Sequence, residues 1–278
     1  MENLVGRSND PGVAAVFGEH TAGQAAVIGQ SNNGRGVLGI SEAGQGVWGH
    51  SVSSYGVAGV SKNSAAVRGT SEAGRGAEGV SIESEGVVGF STKSTGVLGQ
   101  ADGAGAGVLG TSNLGVGVHG KGGRLAGLFE GNVEVTGDIR LTNADCAEDF
   151  EVANDDLAEP GTVMVLGDDG LLEPSQFAYD KRVAGVVCGA GKYKPGILLD
   201  NRESQPNRKP LARLGKVYCK VDAGFAPVQI GDLLTTSATP GHAMKAIDQS
   251  KAFGAVIGKA LRPLVGGQGL IPILIGLQ

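Results

Sequence analysis

The chain has 278 residues, 50 of them glycine, with 23 basic and 28 acidic side chains and a formal net charge of −5. Glycine lies far above its usual ~7%, while aromatic residues make up only 4%, so large side chains for a broad globular core are scarce. The charge is spread, 9 basic and 12 acidic residues in 1–144 against 14 and 16 in 145–278, so neither part carries the basic surface that nucleic-acid binding requires.

The opening stretch "MENLVGRSNDPG" has no basic n-region and no apolar h-region, and no apolar run nears 18 residues. The expectation is a chain made in the cytoplasm without a signal peptide and with no membrane span. Composition divides the chain near residue 145. Residues 1–144 hold 33 of the 50 glycines and one proline, Pro11; the remainder holds 17 glycines and nine prolines. Three domains are expected: a repeat region over 1–126, a β connector over 127–144 and a β-rich head over 145–278.

The first region is built on Val-x-Gly-x-Ser repeated every ten residues. Val37, Val47, Val57, Val67, Val87 and Val97 fill the first slot, and Gly39, Gly49 and Gly59 show the second. Serine recurs at Ser31, Ser41, Ser51, Ser61, Ser71, Ser81, Ser91 and Ser112. Single insertions fall near Ala25 and around 103–106, and degenerate copies start at Leu4 and Leu128. Positions i, i+2 and i+4 share one face of an extended chain. Dense glycine and the missing 3.6 period exclude a helix. Each decapeptide therefore reads as a short strand and a turn, with valine inward, glycine allowing close backbone approach and serine bonding to the turn backbone. The intervening slots (Leu38, Trp48, Ala58, Arg68, Glu78) vary as an outward face does.

One short strand per ten residues cannot bury its own face. Two windings enclose it: a single-chain β-solenoid with two or three decapeptides per coil, or a triangular prism of three chains. The second is preferred, because one valine per repeat offers each chain little apolar area at about 25 cal/mol per Å². At about 4.8 Å per stacked strand, a dozen repeats give a shaft on the order of 60 Å long.

"AGLFEGNVEVTGDIRL" (126–141) alternates apolar and polar residues through Val133, Val135, Ile139 and Leu141, and reads as strand, glycine turn, strand. Beyond it, strands are expected at 161–167, 182–189, 196–200, 215–222, 232–237, 252–261 and 270–277. Pro174, Pro195, Pro206, Pro210 and Pro240 mark the breaks, and a helical turn is possible only in "SKAFGAVIGKAL". The expected fold class is all-β: a decapeptide-repeat β-helix or β-prism shaft followed by a compact β-barrel or sandwich.

Isolated site candidates are few. "GVGVHG" (115–120) matches a dinucleotide fingerprint in letters but lies inside the array, outside any βαβ unit. His20, His50, His119 and His242 are dispersed. His20 takes the usual serine slot and becomes a metal ligand only if three copies converge on an axis. Ser237, His242 and Lys245 lie close in sequence, but Thr239-Pro240-Gly241 reads as a hairpin turn. Asp155-Asp156 and Asp168-Asp169 lack the spacing of a calcium loop. Cys146, Cys188 and Cys219 form neither a disulfide framework nor a zinc pattern. No cofactor is called for.

Two resemblances add to this reading. The Val-x-Gly array resembles the triple-stranded β-helices in central spikes of contractile phage tails and related secretion needles, although those repeats are usually shorter than ten residues. The segment "DCAEDFEVAND", then "GTVMVL" and "YDKRVAGVVCGAG", resembles the C-terminal domain of phage tail fibres and appendages that acts as an intramolecular chaperone and cuts itself off. That family's Asp-x-Ala-Glu-x-Phe is matched by Asp145, Ala147, Glu148 and Phe150. The resemblance implies Asp145 and Glu148 as self-processing acids; the residues alone read as capping a turn or pairing with Lys181 and Arg182.

The resulting expectation is a structural homotrimer, a fibre or spike of a phage tail, tailocin or contractile injection system. Its head would set register, cap the shaft or touch a target, and its partners would be itself, a tail or baseplate protein and a cell-surface receptor. Two alternatives stay open: a self-cleaving chaperone of a fibre, and a monomeric β-solenoid acting as a surface-binding module or injected cargo.

Overall fold

The computed structural model describes residues 6–10, 14–21, 25–202, 205 and 207–276. The degenerate copy at Leu4, the break at Pro206 and the last residue of the expected 270–277 strand lie outside the described residues. Two compact units are present, 1–119 and 120–278.

The first unit repeats one local geometry. At each serine the hydroxyl accepts the N–H of the residue three further on: Ser31 from Gly34, Ser41 from Gly44 and Ser71 from Gly74, each at 2.9 Å. Ser51, Ser61, Ser81 and Ser91 make the same bond to Ser54, Ser64, Ser84 and Ser94. The hydroxyl stands in for a backbone acceptor and closes the turn. The turn returns the chain so that each Val-x-Gly glycine meets the start of the next repeat. A Cβ on Gly59 would stand 2.7 Å from Val67 Cγ2 and 2.8 Å from the Ala66 carbonyl oxygen. No side chain fits there, which explains why glycine returns at this slot.

The short strand expected in each decapeptide is not formed among the described residues. From Gly29 to Gly117 no backbone N–H bonds to a carbonyl of another described residue. The array valines lie 66–76% exposed, and Leu38, Trp48 and Leu98 on the other face are exposed as well. The connector behaves alike. Val133, Val135, Ile139 and Leu141 belong to the second unit but to no strand, which corrects the expected strand–turn–strand there.

The rest of the second unit is nearly all β. Among the described residues its strands are β1 (Asp145–Glu151), β2 (Val163–Leu166), β3 (Leu172–Pro174), β4 (Val183–Val187), β5 (Pro195–Leu199), β6 (Arg208–Asp222), β7 (Leu233–Thr236), β8 (Ala243–Lys245), β9 (Val256–Ala260) and β10 (Gln268–Gly276), with one helical turn, α1 (Gln249–Ala252). The second half of β6 pairs antiparallel with β10; β10 pairs with β9, β9 with β7, β7 with β8, and β8 parallel with β6. That cycle closes a barrel. The first half of β6 leaves it to pair with β1 and β4, and β4 carries β2 and β3.

The barrel core holds Val217, Cys219, Val221, Leu234, Ile257, Ile273 and Ile275. A second cluster, Val152, Met164, Leu172, Ala184, Val187 and Leu211, lies on the opposite face of the β1–β4–β2 extension. The hairpin expected at Thr239-Pro240-Gly241 joins β7 to β8: His242 N–H donates to the Thr239 carbonyl, and Gly241 takes φ +69° as the third residue of a type II turn. The possible helical turn is α1, which ends where the expected 252–261 strand was to begin; β9 starts at Val256.

Candidate functional site

The described residues hold two features that neither the barrel core nor the turns account for: the open surface of the array and connector, and a buried polar cluster where β1 enters the head.

In β1, "DCAEDFE" is buried at every second residue. Asp145, Ala147 and Asp149 point inward, while Cys146, Glu148 and Phe150 are half-buried on the other face. The structure therefore does not bring Asp145 and Glu148 together; three residues apart on a strand, they face opposite ways. Asp145 sits at a bulge, opposite Gly215 of β6 and Pro195 of β5. Gly215 has φ +113°, and a Cβ there would stand 2.6 Å from the Ala144 carbonyl oxygen, so only glycine lets β1 approach this closely.

The carboxyl of Asp145 accepts a hydrogen bond from the Cys188 thiol at 2.9 Å, and its other oxygen has no hydrogen-bond partner. Burial pushes the Asp145 pKa up against that bond. Burial and the neighbouring carboxylate push the Cys188 thiol far up too, which keeps it protonated and unreactive. Cys219, inside the barrel, is pushed up to about 12 by burial. Four residues along from Asp145, Asp149 accepts from Asn201 Nδ2 at 2.7 Å, and its carbonyl accepts from Arg208 at 2.6 Å. Arg208, with a side chain 7% exposed, also reaches the Asp200 carboxylate at 2.6 Å and holds its pKa down. The arginine thus ties the turn after β5 to the inner face of β1.

The remaining candidates have ordinary partners. Ser237 Oγ donates to the Thr239 carbonyl, His242 Nδ1 bonds to the Pro240 carbonyl, and Lys245 pairs with Asp232 at 2.7 Å. The three do not converge. Asp155 pairs with Lys209, Asp169 caps a turn at Leu171, and Asp168 reaches Arg182, whose main partner is Asp180. His20, His50 and His119 are exposed in the array, with His50 beside the ring of Trp48. No group of three or more metal-ligating side chains gathers among the described residues, and no helix there is long and apolar enough to cross a membrane.

Sequence reasoning placed Asp145 at the head entrance but missed Cys188 and Arg208 as partners of β1. The alternating pattern of "DCAEDFE" does carry the parity that separates Asp145 from Glu148.

No protein-family model and no curated protein matches the chain. Solved structures similar to part of it come from bacteriophages. Pre-mature bacteriophage phi29 gene product 12 matches at 13% identity and TM-score 0.38, over 52% of this chain and 23% of that one. The C-terminal fragment of the same gene product matches at 14% and 0.33, over 47% and 99%. The capsid of Myoviridae phage XM1 matches at 17% and 0.32, over 55% and 97%. The chain spans about a quarter of the first of these.

Proposed function

We propose that the protein is the structural subunit of a homotrimeric fibre or spike, with the decapeptide array as shaft and the barrel unit as a head that fixes register and caps the shaft. The observation that carries this reading is the array's lack of internal satisfaction. From Gly29 to Gly117 its backbone makes no backbone–backbone bond, and its valines are open in every repeat. Exposed peptide groups tolerate water, but a ladder of unpaired, apolar, identical segments is a template for further copies. A single-chain solenoid would bury its valines against its own coils and pair successive coils through the backbone. Copies of the same chain supply what is missing, since each repeat is complementary to the same repeat elsewhere. Three chains enclose one small valine per layer without a cavity, which fits the preference for valine over larger residues at that slot. The setting we assign, a phage tail, tailocin or contractile injection system, follows from the resemblance of the Val-x-Gly array to triple-stranded spikes.

Hydrogen exchange on the full chain tests this. The assembled shaft protects amides throughout 36–117, including those whose N–H donates no intrachain bond. Exchange of these amides at the rate of an unstructured peptide, with the barrel strands still protected, would overturn the reading.

A further inference from the structure

A groove runs along the entrance of the head, lined by Leu141, Cys146, Ile197, Leu214 and Gly215. Its apolar wall is open to solvent: Ile197 is 45%, Leu141 49% and Leu214 65% exposed. One flank is β5, which among the described residues pairs only with β1 and so presents a free edge with Ile197, Leu198 and Leu199, none of them charged. The other flank shares Asn143 and Ala144 with a polar hollow bearing Lys192, Lys194 and Lys216 around Tyr193. Lys216 Nζ lies 5.3 Å and Lys192 Nζ 5.8 Å from the Tyr193 ring centre. None of the three lysines forms an ion pair with a described carboxylate.

The same unit contains an unpaired segment of complementary character. "GNVEVTGDIRL" (131–141) belongs to no strand and bends at Gly131 and at Thr136-Gly137. Val133, Val135 and Ile139 are 49–69% exposed, and Glu134 and Asp138 form no ion pair with a described residue. Alternation sets Val133 and Val135 on one face and Glu134 on the other. Resting on the proposed assembly, in which copies run beside one another through the connector, we infer that residues 131–141 of a second copy occupy this groove. Val133 and Val135 would lie against Ile197 and Leu214, pairing with the free edge of β5, while Glu134 and Asp138 face Lys192, Lys194 and Lys216. Three features select this occupant: unmatched charges of opposite sign, an unpaired alternating segment matching an unpaired apolar edge, and continuity of the groove with the connector through Leu141. Such strand addition uses the backbone for affinity and alternate side chains for specificity, and it covers the uncharged edge of β5.

The test is zero-length carbodiimide coupling on the full-length protein, assembled from a mixture of ¹⁵N-labelled and unlabelled chains, with the linked peptides identified by mass spectrometry. The expected result is an amide between Glu134 or Asp138 and Lys192, Lys194 or Lys216 in isotopically mixed pairs. Multi-chain bands should appear on a denaturing gel and be lost in Glu134→Gln/Asp138→Asn. A solution mass of three chains with these links absent, or found only within single-isotope pairs, overturns the inference and leaves the trimeric shaft standing. A solution mass of one chain overturns the proposed assembly itself, and the groove assignment with it.

Discussion

Ile273 in β10 and Val47 in the array are both aliphatic residues, yet Ile273 is 0% exposed and Val47 is 71% exposed. The contrast runs through the whole molecule. The barrel satisfies itself: its strands close a ring, its hydrophobic side chains face one another, and its turns cap their own backbone. The array has the same raw material, apolar residues at alternate positions and a turn motif in each repeat, and satisfies only its turns. Long-range pairing separates the two. β6 spans 15 residues and meets β1, β4, β8 and β10, whereas the slot glycine of an array repeat meets the start of the next repeat. A chain built of neighbours alone leaves one dimension unfilled.

The largest break in this comparison comes from Gly59→Val. The new side chain would collide with Val67 and the Ala66 carbonyl, so stacking of one repeat on the next fails in every copy. Loss of the assembled mass is expected, with the barrel's melting unchanged; retention of the full mass would show that the tight Gly–Val contact is dispensable. Paired truncations sharpen the contrast. Ile273→Ala opens a cavity in the barrel and costs about 2–5 kcal/mol, read by denaturant unfolding. Val47→Ala costs almost nothing if the chain works alone but lowers the melting temperature of the assembly if other copies cover it; an unchanged melt would count against a covered valine stripe.

Within the head, Arg208→Ala removes the guanidinium shared by the Asp149 carbonyl and the Asp200 carboxylate and takes that donor from the part-buried Asp149 carbonyl. A loss of about 1–2 kcal/mol is expected, seen as a lower head transition with the assembled mass retained. A smaller effect belongs to pH. Burial raises Asp145, so its contribution to stability is full below the ordinary aspartate value near pH 4 and is lost as pH rises through the raised folded value. Asp200, lowered by Arg208, and Asp222, lowered by the Thr239 hydroxyl, run the other way and lose their contribution as pH falls through their depressed values. Asp145→Asn should therefore flatten the loss of head stability as pH rises above the ordinary aspartate value; an unchanged slope would show that the carboxyl is not the titrating group. The smallest change is Ser41→Ala, which deletes one exposed hydroxyl acceptor at a cost of about 0.5 kcal/mol. Its effect should add up when several repeats are altered together.

Much of the fold was legible in the residues. The array's period, its glycine slot and its serine turns follow from ten-residue recurrence, and most barrel strands follow from short apolar runs bounded by proline and glycine. β1, β3 and β8 were missed as strands. β1 mixes four acidic residues into seven, and β3 and β8 are three residues each, too short to show a period. The start of β6 was hidden because Arg208, Lys209 and Pro210 look like a break, yet they pair with β1. The connector shows the converse error. Val133 to Leu141 alternate as a strand does, but alternation declares a face, not a partner. The Cys188–Asp145 and Arg208–Asp149 contacts join residues 43 and 59 positions apart, a separation on which local pattern is silent.

The solution mass of the full-length protein, by light scattering with a denaturing gel of the same sample, tests the central claim most directly. The account predicts three chains of 27.9 kDa each and a single intact band. A mass of one chain would contradict it, because the open array would then have to stand in water without the copies that its valines and backbone require.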